Sequence, residues 1–401
     1  MTSTKKWSCY TTPPAESLEI FERVRARCPV AHSDEHQGFF MLLNWADVCK
    51  AMSEFQIYSS QPQVLRPMLP RKPIPGLEMD PPQHSAWRAI YKAAVTPQSI
   101  AAAEPVVRER VREHIAEFVE QGRCDIVSSL CEPVPAEAIC HLVGIDEPDK
   151  VKAIREAAIA MFAAQGDPDL FGRRQAAFAT VAVSEVRARR AMPRDDFLSR
   201  LASMEVEGRG LDDDDYVVLM AAFLGAGHHS TTSAMASLVL EVFSRADIRQ
   251  DLLAHRENIP LAVEEGLRLH PPFFGFYRRT TQKTEIGNTP MPEGQDVYMG
   301  WAAANRDPAV HDNPAVFDYK RANLKHLSFG LGIHSCPGAS LARMELRVLM
   351  EELLDAIPDM TIEGEVPAYK FGGGDYSFLP QLQVAFAPRS RSGYTAGASG
   401  H

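Results

Sequence analysis

The sequence predicts a mainly helical protein with a minor strand-rich portion, and three features carry that expectation. Between Leu211 and Asn258 there is no proline, so the chain can run as one long, mostly buried helix, read as residues 215–245. Residues 99–159 place apolar side chains at three- and four-residue spacing, with breaks near Pro133 and Pro148. Strand character is confined to short pieces such as TEIGNTPMPEGQDVYMG at 284–300, where Gly and Pro mark turns.

In chain order, MTSTKKWSCYTTPP has a basic pair with no apolar stretch behind it, which fits neither a secretory signal nor a membrane anchor. Residues 61–82 hold seven prolines, which exclude regular helix or central strand and leave a long loop of the kind that lines binding sites. The helical pattern of 99–159 follows, then a second block at about 173–190. DDDD at 212–215 gives the long helix an acidic first turn, which its dipole favours. After the strand-rich portion come a helix at 339–356, a hairpin, and a tail, SRSGYTAGASGH, whose composition cannot support packing.

The chain has 401 residues, 45% hydrophobic and 23% charged, an ordinary globular composition. Its net charge of -10 argues against non-specific attraction to nucleic acid or anionic membrane. The longest apolar run, 217–227, falls short of the roughly 20 residues a spanning helix needs, so a soluble, cytoplasmic protein is expected. Seven cysteines form no CxxC pair, which fits reduced thiols, at least one with a task beyond packing.

The most specific stretch is HLSFGLGIHSCPGASLARME, residues 326–345. Gly330 and Gly332 permit a tight turn with close backbone approach, and Cys336 stands just before Gly338 and a helix start. Helix dipole and exposed amides there favour a thiolate suited to iron. A buried hydrophobe in a Gly-rich turn is the other reading of the cysteine alone. Together with Phe329, His334, Leu341, Ala342 and Arg343, these residues resemble the haem-binding signature of the cytochrome P-450 family. The resemblance implies a single-domain cytochrome P-450 fold over 1–388, with a large helical part and a minor β-rich part, and a flexible tail over 389–401. It implies haem b as cofactor and Cys336 as the axial ligand of its iron.

Other segments extend the resemblance. MDPPQHSAWR at 79–88 is similar to the family's segment leading into the helix that flanks the haem. His84 and Arg88, four apart on one helix face, would then meet a haem propionate, although an exposed surface pair explains them as well. In VEEGLRLHPP, Glu265 and Arg268 occupy the family's ExxR positions, with Arg321 as the implied third member and a structural role in holding the loop that presents Cys336. Arg278 resembles the strand arginine that also meets a propionate, and ANRDP at 304–308 matches further.

GAGHHSTTSA at 225–234 raises the question of its two histidines. Adjacent helix residues point about 100° apart, so His228 and His229 cannot share a metal. By resemblance this stretch is the oxygen-binding groove of the long central helix, with Ala226, Gly227, His228, His229 and Ser230 in its slots. His stands where the family usually has an acid, and Ser where it has threonine. Gly225 and Gly227 each cost about 1 kcal/mol against alanine in mid-helix, so ladder opening beside dioxygen or close packing on a flat macrocycle must offset them. A hydroxyl of Ser230 or Thr231 would hydrogen-bond dioxygen; alternatively these hydroxyls bond the preceding turn. His229, with an ordinary pKa near 6.5, would relay protons, or would be a core histidine satisfied by a carbonyl.

Phe273, Phe274 and Phe276, with Phe223 and Phe378, suggest an aromatic wall for a small hydrophobic or aromatic substrate, each ring having ordinary core as its alternative. Arg66, Arg71 and Lys72 read as solvated rather than as partners of a substrate carboxylate. No flavin- or nicotinamide-binding segment is present in the sequence, so electrons come from another protein. The resemblance implies a ferredoxin docking on the cysteine side near Lys92, Arg343 and Arg347. The reading is a haem-thiolate monooxygenase, a monomer, using dioxygen to hydroxylate or oxidatively dealkylate its substrate. The alternatives are a peroxide-driven enzyme, disfavoured because His229 is not arginine, and a non-catalytic haem-binding or ligand-sensing protein, motivated by the altered acid and alcohol slots.

Overall fold

The computed structural model describes residues 7–28, 30–69, 71–164 and 167–391, so most of the expected tail lies outside the described residues. Helix α1 (Pro14–Arg25) leads into the antiparallel strands β1 (Val30–Ser33) and β2 (Phe39–Leu42). Helix α2 (Trp45–Ser53) and the short β3 (Tyr58–Ser59) precede the proline-rich loop, whose described residues form neither helix nor strand. That outcome follows from the donors and α-region conformations that proline removes.

The helical part begins at α3 (Gln83–Ala94) and α4 (Pro97–Phe118), the latter capped by Thr96, whose hydroxyl accepts from Ser99 N. After β4 (Arg123–Asp125) and one π turn come α5 (Pro133–Val143), α6 (Pro148–Ala163) and α7 (Pro168–Ala191). Pro133 and Pro148 are first-turn residues, where the missing N–H would have had no partner anyway. Then α8 (Phe197–Ser203) and a hairpin of β5 (Glu205–Val206) and β6 (Arg209–Gly210) lead to α9 (Asp213–Phe243). Asp212 caps α9 in a capping box with Asp215, which moves the start two residues ahead of the expected 215. The end falls at Phe243 rather than 245.

Helices α10 (Ala246–Ala254) and α11 (Ile259–Leu269) are followed by β7 (Gly275–Thr280), β8 (Thr284–Ile286), β9 (Thr289–Met291), β10 (Asp296–Gly300) and α12 (Trp301–Ala304). The last long helix, α13 (Ala339–Ala356), has the expected bounds. Short strands β11 (Thr361–Ile362), β12 (Lys370–Phe371), β13 (Ser377–Phe378) and β14 (Gln383–Ala385) follow it. The main sheet has the order β1-β2-β10-β7-β3, with β10 parallel to β2.

Helix α9 is buried on most of its circumference and packs against α5, α6, α7, α11 and α13. A helix apolar nearly all round is a core helix, and this one passes through the centre of the helical part. The fold is the mainly helical one with a small β part that the sequence predicts.

Several histidines are buried within it. Burial pushes His228 down to about 3, and His229 and His311 down to about 4. They stay neutral in the native state, so between pH 6.5 and 4 the unfolded chain binds more protons and stability falls as pH falls. Asp375, raised by burial to about 6, and Glu345, raised by burial well above the ordinary carboxylate range, act in the opposite sense and offset two of them. Each unbalanced proton is expected to give a slope of roughly 1.4 kcal/mol per pH unit, seen as a declining urea midpoint on acidification. A flat or rising midpoint contradicts this.

Candidate active site

The segment between Leu327 and α13 is a closed loop. Cys336 N donates to Phe329 O at 2.7 Å, and Gly330 N donates to Leu327 O at 2.8 Å. Gly330 and Gly332 have φ of +69° and +73°, and a Cβ on Gly332 would lie 3.0 Å from Met52 O, so glycine is required at that approach. Gly338 is the N-cap of α13. The Cys336 side chain opens onto a cavity that Phe329, Gly330, His334 and Gly338 also line.

Burial raises the Cys336 thiol above its ordinary value; a Gly338 backbone hydrogen bond, Arg88 and Arg343 act against it but lose. A bound metal cation is what deprotonates a coordinating thiol.

Among the described residues, two guanidinium groups reach the same cavity without a carboxylate partner. Arg278, on β7, is 5% exposed and donates Nη1 to Tyr277 O at 3.3 Å. Burial lowers it to about 10, with Asp80 and Glu78 opposing from a distance. Arg88, on α3, is also buried and lowered, and its Nε has no partner. His84 lies behind the wall, its ring 4.6 Å from that of His334, and neither Nε2 has a hydrogen-bond partner. Burial, then the neighbouring His334 and Arg88, push His84 down to about 4. Uncompensated buried cations are strongly unfavourable, so this rim calls for an anionic ligand. A thiol at one wall and unpaired cations at the rim fit a haem: the sulfur would hold its iron and the guanidinium groups its propionates.

Across the cavity runs α9. Ala226, Gly227, Ser230 and Thr231 line it. Ser230 Oγ donates to Ala226 O at 2.6 Å and Thr231 Oγ1 to Gly227 O at 3.0 Å, which is the back-bonded alternative. A Cβ on Gly225 would overlap the Phe162 ring, and one on Gly227 would lie 3.0 Å from Ile139 Cγ1, so packing against side chains of neighbouring helices, which was not among the expected reasons, accounts for both glycines.

His228 donates Nε2–H to Glu132 O at 3.0 Å. His229 does not line the cavity: its ring sits 4.8 Å from Phe162 and 5.8 Å from Tyr376, with Nε2 unpartnered. Burial keeps its ring neutral near pH 7.

Of the expected aromatic wall, Phe223, Phe273 and Phe276 line the cavity. Phe274 does not; it packs in the core with Phe21 and Phe371. Phe378 stacks on Tyr376 at 5.4 Å, outside the lining. Arg66 and Arg71 are not solvated as expected. Arg66 is 4% exposed and bonded to Asp296, and Arg71 pairs with Glu78. Lys72 is exposed beside Asp214.

Glu265 and Arg268 are fully buried and bonded at 2.7 and 2.8 Å, and Arg321 Nε joins Glu265 at 2.9 Å. Arg268 also donates to Asn305 O and Pro314 O at 2.8 Å. Asn305 in turn accepts from Leu327 N at 2.7 Å and donates to Ser328 Oγ at 2.9 Å, at the base of the cysteine loop.

On the outer side of α13, the expected basic contacts are mostly closed. Arg343 is held by Glu264 at 2.5 and 2.9 Å and lies over Phe329. Arg347 bonds Glu104 and Glu351. Lys92 is exposed and makes no ion pair among the described residues. Residues the sequence reading missed include Asp80, 3.7 Å from His334 Nε2, and Tyr376, whose hydroxyl donates to His229 O at 2.8 Å. Asp80 lay inside the quoted MDPPQH segment; Tyr376 had no local signal.

A family model described as cytochrome P-450 matches residues 172–357. The chain is 33% identical over 356 residues to the erythromycin C-12 hydroxylase of Saccharopolyspora erythraea, covering 86% of this chain and 88% of that one. It is 31% identical over 314 residues to the cyclomarin C epoxidase CymV of Salinispora arenicola, covering 77% and 79%. Among solved structures, a mutant of P-450 EryK in complex with erythromycin B aligns with a TM-score of 0.83 at 30% identity, covering 94% of this chain and 97% of that chain.

Proposed function

We propose, from the premise that the chain belongs to the cytochrome P-450 family, that it hydroxylates or oxidatively dealkylates a small hydrophobic molecule with electrons from a separate ferredoxin-type protein. The family's members are monooxygenases that hold haem b through a cysteine thiolate. When bound, the haem supplies dioxygen activation and transfer of one oxygen atom to the substrate, the other leaving as water with two electrons and two protons.

One observation carries the reading: Cys336 shares a cavity with two buried guanidinium groups, Arg88 and Arg278, that have no carboxylate of their own. Cys336 would hold the iron. Arg88, Arg278 and His334 would hold the propionates, with His84 keeping the His334 ring in place. Phe329, Gly330 and Gly338 would pack beside the sulfur, and Glu265, Arg268 and Arg321 would position that loop through Asn305. Ala226 and Gly227 leave room beside α9. Ser230 or Thr231 would turn its hydroxyl from the preceding carbonyl to hold a proton at Oγ or Oγ1. Phe223, Phe273 and Phe276 would pack against the substrate and exclude water. We further assign residues 1–388 to one domain that works as a cytoplasmic monomer; among the described residues no helix is long and apolar enough to cross a membrane.

Turnover of a panel of small apolar compounds with a surrogate ferredoxin and reductase tests the reading. Product dependent on both proteins supports it; product with peroxide alone, or haem spectral shifts with no product, overturns the donor or the catalytic assignment. In the same assay Ser230→Ala or Thr231→Val is expected to divert much more reducing equivalent into hydrogen peroxide, a positioned proton donor contributing on the order of 10²- to 10⁴-fold. His229→Ala, altering a neutral ring behind the wall, is expected to change this less. Unchanged coupling in both hydroxyl variants removes the groove assignment.

A further inference from the structure

Among the described residues three arginines reach the cavity, and they differ in what neutralises them. Arg88 and Arg278 stand at the cysteine end without carboxylates. Arg71, from the proline-rich loop, donates Nη1 and Nη2 to the two oxygens of Glu78 at 2.6 and 2.9 Å. Glu78 is 1% exposed and also accepts from Val64 N at 3.0 Å and Ile74 N at 2.7 Å. The pair therefore brings a guanidinium to the cavity but no net charge. On α7, Gln175 lines the cavity one turn beyond Phe171, and its carboxamide has no hydrogen-bond partner among the described residues.

We infer that the cavity selects an uncharged substrate ending in a ketone, amide or hydroxyl group, with Gln175 as the specificity-determining residue, and rejects the matching carboxylate. The inference rests on the haem-thiolate reading above and names its substrate class. A carboxylate entering this cavity sheds its water. What it meets at Arg71 is a guanidinium already bonded on both nitrogens to Glu78, whose own negative charge repels it. A free carboxamide offers two donors and one acceptor and so matches an uncharged polar end group of either sense. The apolar remainder of such a molecule packs against Phe162, Phe171, Phe223, Phe273 and Phe276. A site built to hydrogen-bond one group discriminates strongly against an analogue lacking it, because its own polar atoms are then left unpaired.

The test uses the haem-loaded protein and three probes of one shape: naphthylacetamide, naphthylacetic acid above its pKa, and ethylnaphthalene. Dissociation constants are read from the substrate-induced Soret shift. In the wild type the amide is expected to bind at least about tenfold more tightly than the acid, the scale of one hydrogen bond to a charged group left unmade. Gln175→Leu is expected to weaken the amide about tenfold while leaving ethylnaphthalene within about twofold. Glu78→Gln frees the Arg71 cation and is expected to bring the acid level with the amide.

Equal binding of acid and amide by the wild type overturns the inference. So does equal weakening of amide and hydrocarbon in Gln175→Leu, or an unchanged amide-to-acid ratio in a Glu78→Gln protein that loads haem normally. If Glu78→Gln does not fold, the paired Arg71→Met/Glu78→Met variant replaces it and should still reject the acid; acceptance of the acid there counts against the inference. The reduced carbon monoxide spectrum of the wild type separates the two levels: a thiolate-type band with a preference for the acid overturns this inference alone, and absence of that band overturns the reading beneath it.

Discussion

Cys336→Ser is expected to leave the protein folded and able to take up haem, yet to abolish the thiolate-type Soret band of the reduced carbon monoxide complex and with it monooxygenase turnover. The side chain opens onto the cavity, so removing sulfur leaves no void in the packed core. The loop is held by backbone bonds, Cys336 N to Phe329 O at 2.7 Å and Gly330 N to Leu327 O at 2.8 Å, which serine retains. The cations Arg88 and Arg278 still face the rim, so attraction for propionates persists. What serine cannot supply is a soft, electron-donating ligand. Loss of turnover should exceed the roughly 10- to 100-fold that altered outer-shell partners of a metal typically bring.

The other six cysteines cannot substitute, because Cys336 alone among them lines the cavity. A thiolate-type band surviving in Cys336→Ser, with circular dichroism unchanged, would remove Cys336 from the iron.

How far the sequence reached depends on whether the deciding partner is near or far along the chain. The bounds of α13 were legible because Gly338 and an amphipathic run mark them locally, and the start of α9 came within two residues because DDDD announces it. The cysteine loop was legible for the same reason: its glycines, thiol and helix start are consecutive. Side-chain direction was not. Phe273 and Phe274 are neighbours, and only the packing of Phe274 on Phe21 and Phe371 decides which one faces the cavity. His229 was given a role by its slot, but Ala226 and Ser230, four apart, take the cavity face, and the ring between them points elsewhere.

Charges were misread wherever their partners are remote. Arg66 pairs with Asp296, Arg343 with Glu264 and Arg347 with Glu104, contacts that no local pattern reports. Arg71 is the exception: Glu78 is only seven residues on, but the turn that joins them is made by prolines rather than a regular element.

The same dependence on remote contacts gives the second large effect expected, at the ion trio. Glu265→Ala leaves two buried guanidinium groups, Arg268 at 0% exposure and Arg321 at 6%, facing no carboxylate. Breaking a buried pair by removing one partner costs about 3–5 kcal/mol, a large part of a stability of roughly 5–15 kcal/mol. Arg321→Ala should cost least, since Arg268 keeps both oxygens of Glu265. Arg268→Ala should approach Glu265→Ala, because it also frees the carbonyls of Asn305 and Pro314. Asn305 anchors Leu327 N and Ser328 Oγ, so slackening there should loosen the cysteine loop as well as the fold. The two consequences separate experimentally: urea unfolding reads the first, and the rate of haem transfer to apomyoglobin reads the second. Faster haem loss in Arg268→Ala under conditions where it remains folded places the trio in service of the Cys336 loop. Destabilisation with an unchanged rate of haem loss confines the trio to general stability and removes its positioning role.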